Sequence, residues 1–327
     1  MRVLMIRRLT AFLLLSAAVF AQDTGPAKND PSVPKERDTI LRIQIFLDKH
    51  LFGPGKLDGA IGEFTYKAVV NYNYSRGHRD IYNWQHAIEA AEAEVPVIFA
   101  AFKVRADLFK YINKDLPEKP EEQVDFPYMA YRSLSELVAE RFHTDETFLA
   151  KINPGKNIDA MNAGAVIVVP NVRSFKIEDV KAMQSFPKDT ALSARTIVVD
   201  TVERMAAVYS AEEEMLAAFP ITPGKPQFIP VGTWKVQNMT TTPGFRYDKQ
   251  FLEEGVHSED AYHLPPGPNS PIGIIWCGLS KSGIGLHGTA LPRTIGRSRS
   301  AGCVRLANWD AIRLPGLIRP GAKVIVR

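Results

Sequence analysis

Apolar and polar positions follow three successive regimes along this chain. From Thr39 the apolar residues Leu41, Ile43, Ile45, Phe46 and Leu47 form an amphipathic run. The run stops at Gly53-Pro54-Gly55 and resumes at Leu57, leading into Thr65-Tyr66-Lys67-Ala68-Val69-Val70. This pattern predicts a small helical domain over 38–78, with Asp58-Gly59 and Gly62 in tight turns and Thr65 near a helix start. Residues 79–126 read as a connecting region, with a helix at 84–94, a strand-like stretch at 95–104 and a charged, proline-marked linker at 116–122. In 127–172 the pattern tightens. Leu134, Leu137, Val138 and Phe142 recur at helical spacing behind Ser133, an N-cap, with Glu136 in the capping-box position. A second helix at 147–152 ends at Asn153-Pro154-Gly155, and a strand follows at 165–170. With Tyr128-Met129-Ala130-Tyr131 as its first strand, this segment predicts a βααβ module. The third regime, 194–327, holds short β segments at 195–200, 206–209, 215–221, 233–239, 272–279 and 323–327, parted by Gly and Pro turns. It predicts a mainly-β domain, and the whole chain a multidomain α+β protein. Residues 242–271 interrupt the β pattern without periodicity, as a segment walling a ligand groove does.

The first 21 residues differ from all of this. Arg2, Arg7 and Arg8 precede a mostly apolar stretch at 9–20, and Val19-Phe20-Ala21 offers small residues around a cleavage point. This predicts a signal peptide, an exported protein in the periplasm or cell envelope, and a tether at 22–37 rich in Asp, Pro, Lys and Gly. An uncleaved anchor is the alternative. No cysteine follows the apolar stretch, which argues against a lipid anchor. The 327 residues are 45% hydrophobic and 23% charged, as globular domains are, and the net charge of +4 is mild. No basic cluster is dense enough to argue for nucleic acid.

Candidate chemistry sits near the end of the third regime. Gly285-Leu286-His287-Gly288-Thr289 precedes Ser300-Ala301-Gly302-Cys303-Val304-Arg305, which sets a histidine and a cysteine sixteen residues apart. An imidazole near a thiol supplies a thiolate nucleophile. Gly302 removes a side chain just before the sulfur, so a carbonyl can approach and backbone N–H groups can face an oxyanion. Gly288 cannot orient the imidazole with a side chain, so a backbone carbonyl must do so. The other cysteine, Cys277, lies in an apolar strand and reads as an inert buried thiol; a disulfide to Cys303 is the alternative. His143 reads as a loop or core residue. His257 and His263, beside Glu259 and Asp260, read as loop residues and not as a metal site.

The His-Gly pair, the spacer and Ser300-Ala301-Gly302-Cys303-Val304-Arg305 resemble the L,D-transpeptidase catalytic domain of the YkuD type, over roughly 194–327. Gly224-Lys225-Pro226 with Pro230-Val231-Gly232-Thr233-Trp234, and the Pro-Gly-Pro-Asn before the strand leading to His287, also fit it. Ala301 departs from the many members with a second histidine there. The resemblance implies His287 as base, Cys303 as nucleophile, Gly302 and Gly288 as oxyanion or positioning residues, and no metal or organic cofactor. Arg305 then binds a substrate carboxylate or pairs with an acid, and Ser300 donates to substrate or shapes its turn. The implied substrate is a peptidoglycan stem peptide, cleaved before a terminal D-alanine through a thioester. The acceptor is another stem peptide, an envelope protein or water. Residues 38–78 resemble the small helical peptidoglycan-binding domain, and 127–172, with Asn153-Pro154 and Val168-Val169-Pro170, a LysM-like glycan-binding module. A non-catalytic wall-binding protein and an ordinary cysteine endopeptidase are the competing classes.

Overall fold

The computed structural model describes residues 31–229, 231–298 and 300–327. The signal-peptide expectation, and most of the tether, fall outside these residues. No described helix is long and apolar enough to cross a membrane.

Three helices open the described chain: α1 (Arg37–Lys49), α2 (Glu63–Ser75) and α3 (Gln85–Glu94). Gln44 of α1 organises the Asp58-Gly59 turn between the first two. Its Oε1 accepts from the backbone N–H of Asp58 (3.0 Å) and Gly59 (2.9 Å), and its Nε2 donates to Ala60 O (3.0 Å). Helix α3 packs with α1 and α2 around buried Trp84, Ala87 and Ala91, so the helical unit runs past residue 78 into the stretch read as connecting.

The expected pair of helices and the closing strand are present, but a short helical turn at Pro120–Gln123 precedes them and the first strand lies elsewhere. Strand β1 (Phe99–Lys103) pairs antiparallel with β2 (Val166–Pro170), enclosing α4 (Leu134–Arg141) and α5 (Glu146–Ile152). Tyr128-Met129-Ala130-Tyr131 is not a strand, which corrects the sequence reading. Its backbone is claimed by other loops: Met129 N donates to Pro266 O (2.8 Å), Tyr131 N to Tyr111 O (2.9 Å), and Ala130 O accepts from Asn269 Nδ2 (2.8 Å). Ser133 caps α4 as expected, accepting from Glu136 N at 3.0 Å, and the Glu136 carboxylate returns to Arg132 N.

The mainly-β expectation for the third regime holds. Eight strands form one sheet: β3 (Thr196–Asp200), β4 (Met205–Tyr209), β5 (Met215–Pro220), β6 (Gly232–Thr241), β9 (Ile275–Leu279), β10 (Gly285–His287), β11 (Val304–Arg305) and β12 (Lys323–Val326). The order across it is β11-β10-β9-β6-β12-β3-β4-β5, with β10/β11 and β12/β3 parallel. Strands β3, β4 and β5 are apolar on both faces, and both faces are covered. Val198, Ala207, Tyr209 and Ala218 join the core of the helical unit, while Ile197, Val199, Val208 and Phe219 join the core shared with the βααβ unit. The long insertion is a small unit of its own. Strands β7 (Phe245–Tyr247) and β8 (Tyr262–Leu264) pair antiparallel around α6 (Lys249–Glu254), which Asp248 caps. His257 Nδ1 lies 3.2 Å from that same Asp248, and its ring stacks on Phe251, as a loop residue's would.

The three units meet at one buried ion cluster. Asp48 of α1 receives Arg313 (Nη2, 2.7 Å) and His143 (Nδ1, 3.0 Å), and the His143 ring stacks on Trp309. Burial would raise the Asp48 pKa, but Arg313 and His143 more than offset it and hold the carboxylate charged. Burial keeps His143 neutral, so its Nδ1–H donates to Asp48. His143 is thus a core residue that joins the units.

Candidate functional site

Strand register builds the site. His287 on β10 is paired with Trp276 on β9 and Arg305 on β11, and Arg305 is paired in turn with Thr222. Register partners on adjacent strands share a face, so Arg305, His287 and Trp276 stand in one row. Cys303 precedes β11, two residues before Arg305. The indole of Trp276 stacks on the His287 imidazole, centroids 5.9 Å apart. It lies where a Cβ on Gly285 or Gly278 would stand, 2.8–2.9 Å from either position, so both glycines make room for it. Cys277 faces the opposite side of β9, fully buried, and burial pushes its pKa up to about 12. Both cysteines are free, as the inert-thiol reading requires.

The segment 300–305 is fastened to 222–225. Thr222 and Arg305 exchange two backbone bonds (2.9 Å each), Ser300 N donates to Pro223 O (3.1 Å), and Lys225 N to Ser300 O (2.8 Å). Gly302 has φ +136°, and Gly224 packs so tightly on it that an added Cβ would stand 2.5 Å from the Gly302 Cα. Ser300 is buried; its hydroxyl donates to Cys303 O and accepts from Gly302 N at 3.3 Å. Of the two readings for Ser300, this geometry is that of a turn-shaping residue. It also engages the Gly302 N–H.

The half-buried Cys303 thiol donates to Gly283 O at 3.5 Å. The unit of 242–271 reaches this point: Phe251 packs against Gly283, and Phe228 lies between Gly255 and Gly302. His287 Nδ1 donates to Gly288 O at 2.6 Å, the backbone carbonyl that a residue without a side chain at 288 calls for. That bond leaves Nε2 as the proton-accepting nitrogen. Burial pushes the Cys303 pKa up to about 11, opposed by the Gly285 N–H and the Arg305 charge. Burial, then Arg305, brings His287 down to about 3, opposed by the Gly288 carbonyl. At neutral pH the resting pair is therefore thiol and neutral imidazole. Arg305 favours thiolate over imidazolium. Its guanidinium has no carboxylate partner among the described residues, and its buried Nε has no hydrogen bond.

Sequence reasoning missed the support behind Gly288. Asn308 is fully buried, and its Oδ1 stands 2.1 Å from where a Cβ would lie on either Gly288 or Gly273. That oxygen accepts from Ile274 N (3.2 Å), while Nδ2 donates to Glu140 Oε1 (3.0 Å) and Pro268 O (3.2 Å). Glu140 comes from α4 of the βααβ unit and also accepts from the Tyr131 hydroxyl. Burial raises its pKa to about 8, so it is largely protonated at neutral pH.

A half-buried thiol and a buried histidine thus lie close together at one edge of a mainly-β sheet, and comparison with known proteins places this region. Residues 194–326 match the L,D-transpeptidase catalytic domain, the YkuD family. That match spans the mainly-β unit, which carries His287 and Cys303, and it marks the chain as an enzyme. It is 27% identical over 191 residues to a Bacillus licheniformis protein assigned as the L,D-transpeptidase YkuD, covering 58% of this chain and 92% of that protein. A Bacillus subtilis protein of the same name is 41% identical over 59 residues, 18% of this chain and 36% of its own length. Among solved structures, L,D-transpeptidase 3 from Mycobacterium tuberculosis aligns over 51% of this chain and 75% of its own at 16% identity, with a TM-score of 0.34.

Proposed function

We propose that this enzyme is an L,D-transpeptidase that acts on peptidoglycan stem peptides, with Cys303 as nucleophile and His287 as base. The observation that carries the reading is the shared face of His287 and Arg305, next to Cys303, with His287 Nδ1 tied to Gly288 O. The thiol turns from Gly283 O toward Nε2, which takes its proton as sulfur attacks the carbonyl before the terminal D-alanine. The Cys303 N–H is the oxyanion donor, because Ser300 holds that of Gly302. The C–N bond breaks, D-alanine leaves with the proton from His287, and a thioester remains on Cys303. An amine of a second stem attacks it and restores the thiol. Water in that role gives a carboxypeptidase, and an envelope protein gives wall attachment. Arg305 stabilises the thiolate electrostatically. The chain works after export, and its helical and βααβ units hold it on the wall by binding glycan.

The test is mass spectrometry of tetrapeptide muropeptides incubated with the enzyme and with its Cys303→Ala form. Crosslinked dimers, or loss of D-alanine, with the unsubstituted enzyme alone support the proposal. Unchanged muropeptides, with Cys303 shown to be a free thiol, count against it and favour a wall-binding protein.

A further inference from the structure

A cleft of about 920 Å³ opens where the three units meet, beside the reactive row. Its lining includes Lys56 from the helical unit, Arg132 and Glu136 from the βααβ unit, and Thr289 and Arg305 from the catalytic domain. Arg293 and Arg297 line it as well. The charges in this wall are unevenly satisfied. Asp145 is held by Lys56, Asp310 lies 3.4 Å from Arg313, and Glu140 is largely protonated. Glu136 accepts from the Arg132 backbone. Arg132, Arg293, Arg297 and Arg305, in contrast, make no ion pair among the described residues, although the Arg132 charge acts on Glu136. Arg132 gives its side-chain donors only to the Leu116 and Pro117 carbonyls. Against these four guanidinium groups stand three lining acids without an ion pair, the exposed Glu118 and Glu146 and the half-buried Glu136.

Guanidinium forks left without carboxylates in a concave site are built to take carboxylates from a ligand. We propose that this cleft binds a peptide bearing several carboxylates, and that Arg132 makes the βααβ unit part of that site. Taking the reading above as its basis, the occupant is a stem peptide held beside the thioester. Arg305 lines the cleft and its charge acts on Cys303 and His287, so a peptide held by Arg305 has one end near the reacting centre. The accessory units then act in substrate binding directly, and not only as wall anchors.

The experiment is calorimetric titration of the full chain carrying Cys303→Ala, which cannot turn over. The probes are a stem tetrapeptide and the same peptide with its carboxylates converted to carboxamides. Arg132→Gln with Arg293→Gln, on that background, is expected to raise Kd for the charged peptide about tenfold or more, and added salt to raise it further. The amidated peptide is expected to bind at least about tenfold more weakly and to be insensitive to the substitutions. Arg293→Gln with Arg297→Gln, both at exposed positions, repeats the test without touching the βααβ unit. Equal Kd for the two peptides, an unchanged Kd in both variants, or no binding at millimolar peptide would overturn the proposal. Turnover by the unsubstituted enzyme without any arginine effect removes the cleft proposal and leaves the reaction standing. Arginine-dependent binding without turnover does the reverse.

Discussion

Gly288→Ala probes the support behind His287. The new Cβ would stand 2.1 Å from Asn308 Oδ1 and 3.2 Å from Ile274 N, so Asn308 must move. Moving it breaks the bond from Ile274 N and the two bonds to Glu140 and Pro268, all buried. Leaving a buried donor or acceptor unsatisfied costs about 1–3 kcal/mol, and overpacking adds a similar amount, so a total of about 3–5 kcal/mol is expected. Asn308→Ala alone leaves the Ile274 N–H and Glu140 without their partner, for about 2–4 kcal/mol. Combined, the two changes should cost little more than Asn308→Ala, because no Oδ1 remains to collide. The coupling is then about 3 kcal/mol. Urea denaturation of the four proteins measures it. Gly316→Ala is the control, since nothing lies within 4 Å of a Cβ there. Additivity within about 0.5 kcal/mol would refute the reasoning, because it would mean that Asn308 does not fill the space beneath Gly288.

Other consequences follow from the same geometry. Arg305→Met removes a charge that favours the thiolate together with an unsatisfied buried nitrogen. Turnover at neutral pH should fall about tenfold or more while the melting temperature holds or rises, and a rate near that of the parent enzyme would count against the role of this charge. Glu140 has a folded pKa raised to about 8 by burial, so the folded state keeps a proton that the unfolded chain releases near 4.5, and stability falls as pH rises between these values. Between pH 6 and 9 this amounts to about 3 kcal/mol, and denaturation curves of Glu140→Gln should lose that part of the slope while the part from Asp310 remains. Asp48→Ala strands Arg313 and His143 in the junction. A loss of about 3–5 kcal/mol is expected from denaturation, and a loss below about 1 kcal/mol would mean that the ion cluster does not join the units.

The parts legible in the sequence were those set by local pattern. The helical spacing of Leu134, Leu137, Val138 and Phe142 and the Ser133 cap produced α4, and the short β runs of the third regime produced the sheet. Tyr128-Met129-Ala130-Tyr131 has strand composition, yet its partners are loops, and β2 pairs instead with residues 99–103. Pairing partners are not written in a segment's own residues. Strands β10 and β11, three and two residues long, are too short to carry a period. The carbonyl that orients His287 was legible because Gly288 offers nothing else. Asn308 and its link to Glu140 were not, since the contacts of Asn308 join positions 34 to 168 residues apart in the chain. Trp276 had one local sign in retrospect, glycines at 278 and 285 that leave room for a large ring.

The most direct test of the account is the mass of the intact enzyme after mixing with a stem tetrapeptide whose amines are acetylated, so that no acceptor amine is present. The account expects an adduct equal to the tetrapeptide minus D-alanine, mapped to Cys303, absent from Cys303→Ala and released by hydroxylamine. An adduct on another residue, or turnover of the peptide by Cys303→Ala, would contradict it.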